Sequence, residues 1–318
     1  MALEFVQDAI SLSGFTGSKL KSEIIGDYYP FWWNITSGGE RVKHEWPTAI
    51  IELDAATGEM YIKDTKETIL GSSGHALELK CNNKNTKYLK TVLVEKDANC
   101  YSHLKKVIGR RWPQVNISEA EGPLQNNQSN IFLMNVELDE ALNAIAKLGL
   151  RNSLFFFDPL RSVANETIEK VAKARIKTYY QTGTEFIVFL FTSDWFLGRD
   201  HFVGLPTVID ESSWSKDQRD TVIEADGLFG NTGWRSRILN NKPVYERESD
   251  FVELYKTNLR KWFRYALPMP FNPKANQIFH LILCSNYEAG VSATRRFFCN
   301  KTGNPNYSPN NKDTSDRF

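Results

Sequence analysis

Asp158-Pro159 closes the apolar run Leu154-Phe155-Phe156-Phe157, which reads as a buried strand ending in a carboxylate and a proline. In an open α/β sheet, ligands bind beyond the carboxyl ends of the parallel strands, so an acid fixed at such an end faces the expected site. A carboxylate and an exposed backbone carbonyl there can accept hydrogen bonds from an amine and keep its lone pair aimed at a methyl group. That task depends on orientation more than on acid strength. Asp158 and Pro159 are therefore the candidate catalytic residues, and a cap on the following helix is the competing role for Asp158. Leu160-Arg161 follows where an aromatic would stack on a flipped base, and Arg161 suits a phosphate or carboxylate.

Other acids sit at comparable places. Glu95 ends the strand expected at residues 91–94, where a carboxylate can accept hydrogen bonds from both ribose hydroxyls of a nucleoside cofactor. A solvated surface acid is the alternative. Glu119, after the strand expected at 114–118, is placed to receive an adenine amino group. The segment Glu52-Leu53-Asp54-Ala55-Ala56-Thr57-Gly58 resembles the Asp-Leu-Phe-Ala-Gly-Thr-Gly loop of S-adenosylmethionine enzymes, with Ala56 replacing one glycine. Glu52, Asp54, Ala55, Ala56 and Gly58 join Glu95 and Glu119 as candidate cofactor contacts; an ordinary tight turn is the other reading of the loop. Lys256 and Arg260 fall on one face of a basic and aromatic helix, as a phosphate-tracking surface would present them. The same helix reads equally as a charged surface element docked by Leu259, Trp262 and Phe263. The histidines His44, His75, His103, His201 and His280 show no metal-ligand spacing, the four cysteines form no Cys-x-x-Cys pair, and no serine lies in a Gly-x-Ser-x-Gly elbow. Metalloenzyme and hydrolase readings lack support.

The elements that must position these groups alternate. Strands are expected at 48–53, 91–94, 114–118, 154–157 and 185–191, with helices at 98–108, 138–148 and 165–179 between them. A hairpin or extra helix must fill the stretch between Gly58 and Cys81. A first helix is expected at 18–34, with Pro30 ending or kinking it. Two late strands, 265–271 and 277–285, turn around Asn272-Pro273-Lys274 as an antiparallel hairpin, and a last helix runs 288–298. This order predicts a doubly wound, mostly parallel α/β sheet with a C-terminal antiparallel hairpin, which resembles the Rossmann-like class I methyltransferase fold. The expected divisions are an N-terminal helical extension at 1–47, an α/β domain at 48–192 and 263–299, a helical insertion or cap at 193–262, and a tail at 300–318. With 39 basic and 38 acidic residues among 318, no general basic coat for nucleic acid is evident, and a local basic patch stays open. No apolar run reaches the ~18 residues that span a bilayer, and the acidic N-terminus is unlike a signal peptide, so a cytoplasmic setting is expected.

Taken in order, these pieces resemble the three-Cys-motif partner family, TcmP, from about Lys19 to Gly303. The parts are Lys19-Leu20-Lys21-Ser22-Glu23-Ile24-Ile25 with Tyr28-Tyr29, the loop 51–58, residues 71–79, Val94-Glu95-Lys96-Asp97, Phe156-Phe157-Asp158-Pro159, Asp226-Gly227-Leu228-Phe229-Gly230, Leu254-Tyr255-Lys256 and the late strand 278–286. The family loop is usually Ile-Asp-Gly-Phe-Ala-Gly-Pro-Gly and its Asp-Pro continues Phe-Gly; this chain departs from both. The resemblance implies a methyltransferase-like fold, a bacterial source and a partner protein carrying a three-cysteine motif.

The residues leave three functional readings open. One is an S-adenosylmethionine-dependent transferase acting on an amino group, most readily of nucleic acid. A second is a catalytically silent scaffold working through protein or nucleic-acid contacts in a bacterial defence or mobile-element system. The third is a pocket for another nucleotide or phosphorylated ligand, which would use Arg161.

Overall fold

The structure, a computed structural model, describes residues 3–6, 9–14, 16–37, 48–63, 65–83, 86, 88–119, 130–150, 152–158, 163–176, 183–198, 203–274 and 277–302. Two short strands, β1 (Leu3–Val6) and β2 (Ala9–Gly14), precede the long helix α1 (Thr16–Thr36). The N-terminal extension is thus not helical alone. α1 continues through Pro30. Tyr28, Tyr29, Trp32 and Trp33 are buried on either side of that proline; at about 2 kcal/mol per buried large side chain, their packing outweighs the ~3 kcal/mol that an interior proline costs.

The sheet begins with β3 (Thr48–Glu52). The stretch after Gly58 holds both elements allowed for it: the hairpin β4 (Glu59–Ile62) and β5 (Glu67–Leu70), then α2 (Ser72–Asn82). β1, β2, β4 and β5 form a separate four-stranded sheet in that order. Next come β6 (Leu89–Val94), α3 (Ala98–Arg111), β7 (Ile117–Glu119), β8 (Ile131–Met134), α4 (Leu138–Ala146), β9 (Asn152–Phe157), α5 (Asn165–Ile176) and β10 (Thr184–Leu190). The segment expected as an insertion contains α6 (Thr192–Phe196), α7 (Lys216–Phe229), α8 (Arg235–Ile238) and α9 (Val244–Arg260). β11 (Tyr265–Lys274), β12 (Gln277–Ser285) and α10 (Glu288–Thr302) complete the chain's described elements. Residues 272–274 belong to β11, not to the turn, and the last helix reaches Thr302; most of the expected tail lies outside the described residues.

The eight-stranded sheet has the order β11-β12-β10-β9-β3-β6-β8-β7. β12 runs antiparallel to both its neighbours, and the other pairings are parallel. Setting aside the edge strand β7, and numbering the rest along the chain, the order is 3-2-1-4-5-7-6 with the seventh strand reversed. This is the class I methyltransferase arrangement, a Rossmann-type order with one antiparallel strand inserted near an edge. The third inner strand is β8, not residues 114–118. Its four residues Ile131-Phe132-Leu133-Met134 are all buried, and a four-residue apolar run cannot be told from a piece of buried helix by periodicity.

The sheet is apolar on both faces because helices cover both. Ile51, Val92, Phe132, Phe155, Phe186 and Ile282 pack toward α4, α5, α7 and α9, whereas Ile50, Leu154, Phe156, Ile187 and Leu281 pack toward α1 and α10. The helices after α6 share the first of these cores. Trp195, Trp214 and Trp234 are buried in it, and buried Arg247 donates to the carbonyls of Ile238 and Pro206 at 2.8 and 2.6 Å. Among the described residues no helix is long and apolar enough to cross a membrane.

Candidate active site

Strand order reverses between β3 and β9: from β3 the chain builds outward through β6 and β8, and from β9 it builds the other way. The crevice at such a switch point is where open α/β sheets bind ligands. Glu52 and Asp54 leave the end of β3, Glu95 the end of β6 and Asp158 the end of β9. Backbone hydrogen bonds hold these ends in register: Leu53 N–H to Phe156 O at 3.0 Å, Ala55 N–H to Val94 O at 2.9 Å, and Glu95 N–H to Met134 O at 3.0 Å.

The loop after β3 is organised around Glu95. One carboxylate oxygen accepts from the Ala56 amide at 2.7 Å and the other from the Asp97 amide at 2.8 Å. Glu95 is 4% exposed, which removes the solvated-acid reading. Ala56 has φ 50°, a left-handed backbone that glycine adopts freely and that costs about 1 kcal/mol for a residue with a Cβ. Gly58 follows at φ 77°, and its carbonyl oxygen accepts from Gly71 N–H at 3.0 Å. A Cβ on Gly74 would lie 2.2 Å from that oxygen, so the first turn of α2 must be bare to pack on the loop. Ser73 Oγ closes the contact on Ala55 O at 2.5 Å. Asn135, just past β8, donates to the carbonyl oxygens of Glu95 and Lys96 at 2.7 and 3.1 Å and clamps the β6 end.

α1 supplies the other wall. Lys21, Ile25 and Tyr29 recur at i, i+4 and i+8 and so lie on one stripe. The Tyr29 hydroxyl donates to Glu52, whose second oxygen accepts from Ser72 Oγ at 2.9 Å. Lys21 donates to Asp158 and holds its ammonium 4.5 Å from the centre of the Phe189 ring. Asp158 therefore does not cap α5, which starts only at Asn165.

Crowding of carboxyl groups away from water raises their proton affinity. Burial, with Asp158 and Asp54 adding to it against the Tyr29 and Ser72 hydrogen bonds, pushes Glu52 up to about 8. Asp54 is pushed to about 7, by burial first and then by the charges of Glu95 and Asp158, while Lys21 opposes the rise. Glu95 is also raised, mainly by burial, and shares a side-chain hydrogen bond with Asp54. Asp54 and Glu95 thus act as a carboxyl pair able to hold one proton near neutrality.

Glu52, Asp54, Ala55, Ala56, Gly58, Glu95 and Asp158 lie together around the ends of β3, β6 and β9. Glu119 is not: it lies on the outermost strand, half-exposed, with Lys105 Nζ 2.7 Å away and the Tyr101 hydroxyl at 3.3 Å. β8 takes the inner place expected for residues 114–118 and leaves Glu119 one strand further out. Lys256 is 4% exposed with its ammonium 3.1 Å from Glu253, and Arg260 is half-buried, so the face that carries them is turned into the protein rather than toward a nucleic acid. Pro159, Leu160 and Arg161 lie outside the described residues. Lys21, Tyr29, Ser72 and Asn135 were not singled out from sequence. The one legible signal was Lys21, a cation on the apolar stripe of α1.

Val163, just ahead of α5, is tied to α9 by the buried Tyr255 hydroxyl, which donates to Val163 O at 2.8 Å. Tyr255→Phe should cost about 1–3 kcal/mol, because the Val163 carbonyl is left buried without that donor. Urea denaturation measures it, and an unchanged midpoint would contradict the tie.

No protein-family model matches the sequence, and no curated protein does. Among solved structures the chain is similar to protein LPL1258 from Legionella pneumophila, a DUF519 protein, at 11% identity and TM-score 0.45 over 91% of this chain and 93% of that one. It is also similar to Trm1 from Pyrococcus horikoshii, solved with S-adenosyl-L-methionine, at 10% identity and TM-score 0.45, covering 85% of this chain and 56% of Trm1. A DszA carbon methyltransferase follows at 10% identity and TM-score 0.43, covering 85% and 54%. The chain spans about half the length of the last two. Likenesses this distant add no argument; the fold class rests on strand order and direction.

Proposed function

We propose that this chain is a methyltransferase that uses S-adenosylmethionine and accepts an amino group. The observation that carries the reading is the convergence of the Asp54–Glu95 pair and Asp158 at the switch point of a sheet in class I methyltransferase order. The donor set fits the cofactor. Each Glu95 oxygen spends one lone pair on a backbone amide and keeps another for a ribose hydroxyl. An anionic surrounding suits a ligand bearing sulfonium and ammonium charges, and it opposes a phosphate. The loop amides of Ala55 and Ala56 are also already engaged, so the phosphorylated-ligand reading gains nothing from the described residues.

When bound, the cofactor would be held through its sugar by Asp54 and Glu95 and would supply an electrophilic methyl group on a sulfonium, the accepting amine losing its proton to solvent. Asp158 orients the accepting nitrogen, and the Asp54–Glu95 pair fixes the cofactor's sugar and carries compensating negative charge. The alternative reading, a silent scaffold, draws on one observation: Lys21 already sits on Asp158. In line with the resemblance to the three-Cys-motif partner family, we also propose a bacterial, cytoplasmic setting, with a partner bearing that motif, in a defence or mobile-element system. Co-purification with the neighbouring gene product tests this.

Calorimetric titration with S-adenosylmethionine decides between the readings. Binding should strengthen as pH rises through about 7, because a cation binds the deprotonated Asp54–Glu95 pair. Below that value the affinity should fall by up to about tenfold per pH unit, with a proton released on binding that is visible as a buffer-dependent enthalpy. No heat at millimolar cofactor from a folded protein would leave only the scaffold.

A further inference from the structure

We infer that the acceptor position of this site is built for an alkylamine, which docks as its ammonium and passes a proton to solvent before its nitrogen accepts a methyl group, and that Lys21 occupies it in cis; the inference rests on reading the β9 edge as the acceptor side of a transferase. The Lys21 ammonium donates to Asp158 and lies 4.5 Å from the centre of the Phe189 ring. A carboxylate on one side and an aromatic face on another is the environment that recognises a compact organic cation. It is the protein's own side chain that shows the fit.

The surrounding aromatics explain why a nucleobase amine fits less well. Phe189 packs against Phe279 with centroids 5.1 Å apart and against Phe191 at 6.1 Å. Phe279 is 2% exposed and Phe189 7% with Lys21 over its ring, so displacing Lys21 frees at most the part of one Phe189 face that the ammonium covers, too little for a base to stack on. Stacking is how flipped or single-stranded bases are held. A slender alkyl stem needs no such face, and the Lys21 ammonium already lies over Phe189. The Lys21 and Asp158 side chains retain 10% and 17% of their exposure, so the carboxylate lies near the surface beneath Lys21. Withdrawing Lys21 would leave an anionic, aromatic-walled position that an incoming ammonium can fill.

The site therefore takes a lysine side chain of a protein or a free alkylamine, two sources of one chemistry, and Lys21 acts as a stand-in that must be displaced. The test is calorimetric binding of N-acetyl-lysine methylamide, n-butylamine and adenosine to the wild-type chain, to Lys21→Ala and to Lys21→Ala/Asp158→Asn. Alkylammonium binding should be at least about tenfold tighter in Lys21→Ala than in wild type and be lost again in the double variant. Preference for the lysine derivative over n-butylamine assigns a protein acceptor, and the reverse assigns a free amine. Equal alkylammonium binding in wild type and Lys21→Ala, or binding of adenosine but neither alkylammonium, would overturn the inference. If Lys21→Ala does not fold, Lys21→Met keeps the stem without the charge, and methylammonium serves as the probe. Titrating each variant with S-adenosylmethionine separately keeps failure of the acceptor assignment distinct from failure of the methyltransferase reading.

Discussion

Glu95→Ala should lower stability by about 3 kcal/mol and abolish binding of S-adenosylmethionine. The first effect follows from the two backbone amides that Glu95 holds, Ala56 at 2.7 Å and Asp97 at 2.8 Å, since hydrogen bonds to a charged acceptor contribute about 1.5–3 kcal/mol each. Alanine satisfies neither amide. Part of the loss is offset, because burial raises the proton affinity of Glu95 and its ionised form is not free of cost. The second effect follows from the first as much as from the lost ribose acceptor. Without its anchor, Ala56 has no partner to hold it at φ 50°, and the loop can relax away from the crevice. Glu95→Gln is the informative control. Its amide has one accepting oxygen and turns an N–H toward the other backbone donor, so about half of the stability should be lost while the shape of the side chain is kept. Thermal unfolding should show a drop of several degrees in Tm for Glu95→Ala and a smaller one for Glu95→Gln. Unchanged Tm in both would mean that Glu95 does not organise the loop.

Why these acids could be read from sequence, and others could not, follows from where the information lies. Asp158, Glu95 and the β3 loop each sit one step beyond a run of buried apolar residues. In a doubly wound sheet, that position alone assigns a residue to the ligand edge. Glu119 falls away from that edge because β8 lies between its strand and β6. β8 is only four residues long, and the residues before it carry no apolar run to announce it. Lys256 and Arg260 failed for a different reason: a basic helix face is solvent-facing by default, and only tertiary packing shows that Lys256 is buried against α9's neighbours. Tyr29 was hidden, and Lys21 legible only as a cation on an apolar stripe with no partner named, because both reach the site from a helix outside the alternating pattern. The distance in sequence between Lys21 and Asp158 leaves no local trace, and neither does that between Tyr29 and Glu52.

The Tyr29–Glu52 contact leads to the other large expected effect, a pH dependence of folding that should vanish in Glu52→Gln. Glu52 is fully buried, accepts from Tyr29 and Ser72, and is pushed from the ordinary carboxyl value of 4.5 up to about 8. The folded chain therefore keeps the proton over a range in which the unfolded chain has lost it. The stabilisation from this group is fully present below pH 4.5 and is lost as pH rises through about 8. At ~1.4 kcal/mol per unit of separation the loss amounts to several kcal/mol. Asp54 and Glu185, both raised to about 7, mainly by burial, titrate in the same direction, so the wild-type slope is not due to Glu52 alone. The difference between wild type and Glu52→Gln isolates it. Glutamine is a near-isostere of the neutral acid, with an oxygen to accept and an amide to donate, so at pH 5 the two proteins should differ by less than about 1 kcal/mol. By pH 9 Glu52→Gln should be the more stable by several kcal/mol in urea denaturation, whereas parallel profiles would mean that Glu52 is ionised in the folded state. A protonated Glu52 also fits the electrostatics of the crevice. It joins α1 to the end of β3 without adding a negative charge beside Asp54 and Asp158, which leaves those two carboxyls to answer the charge of whatever binds above them.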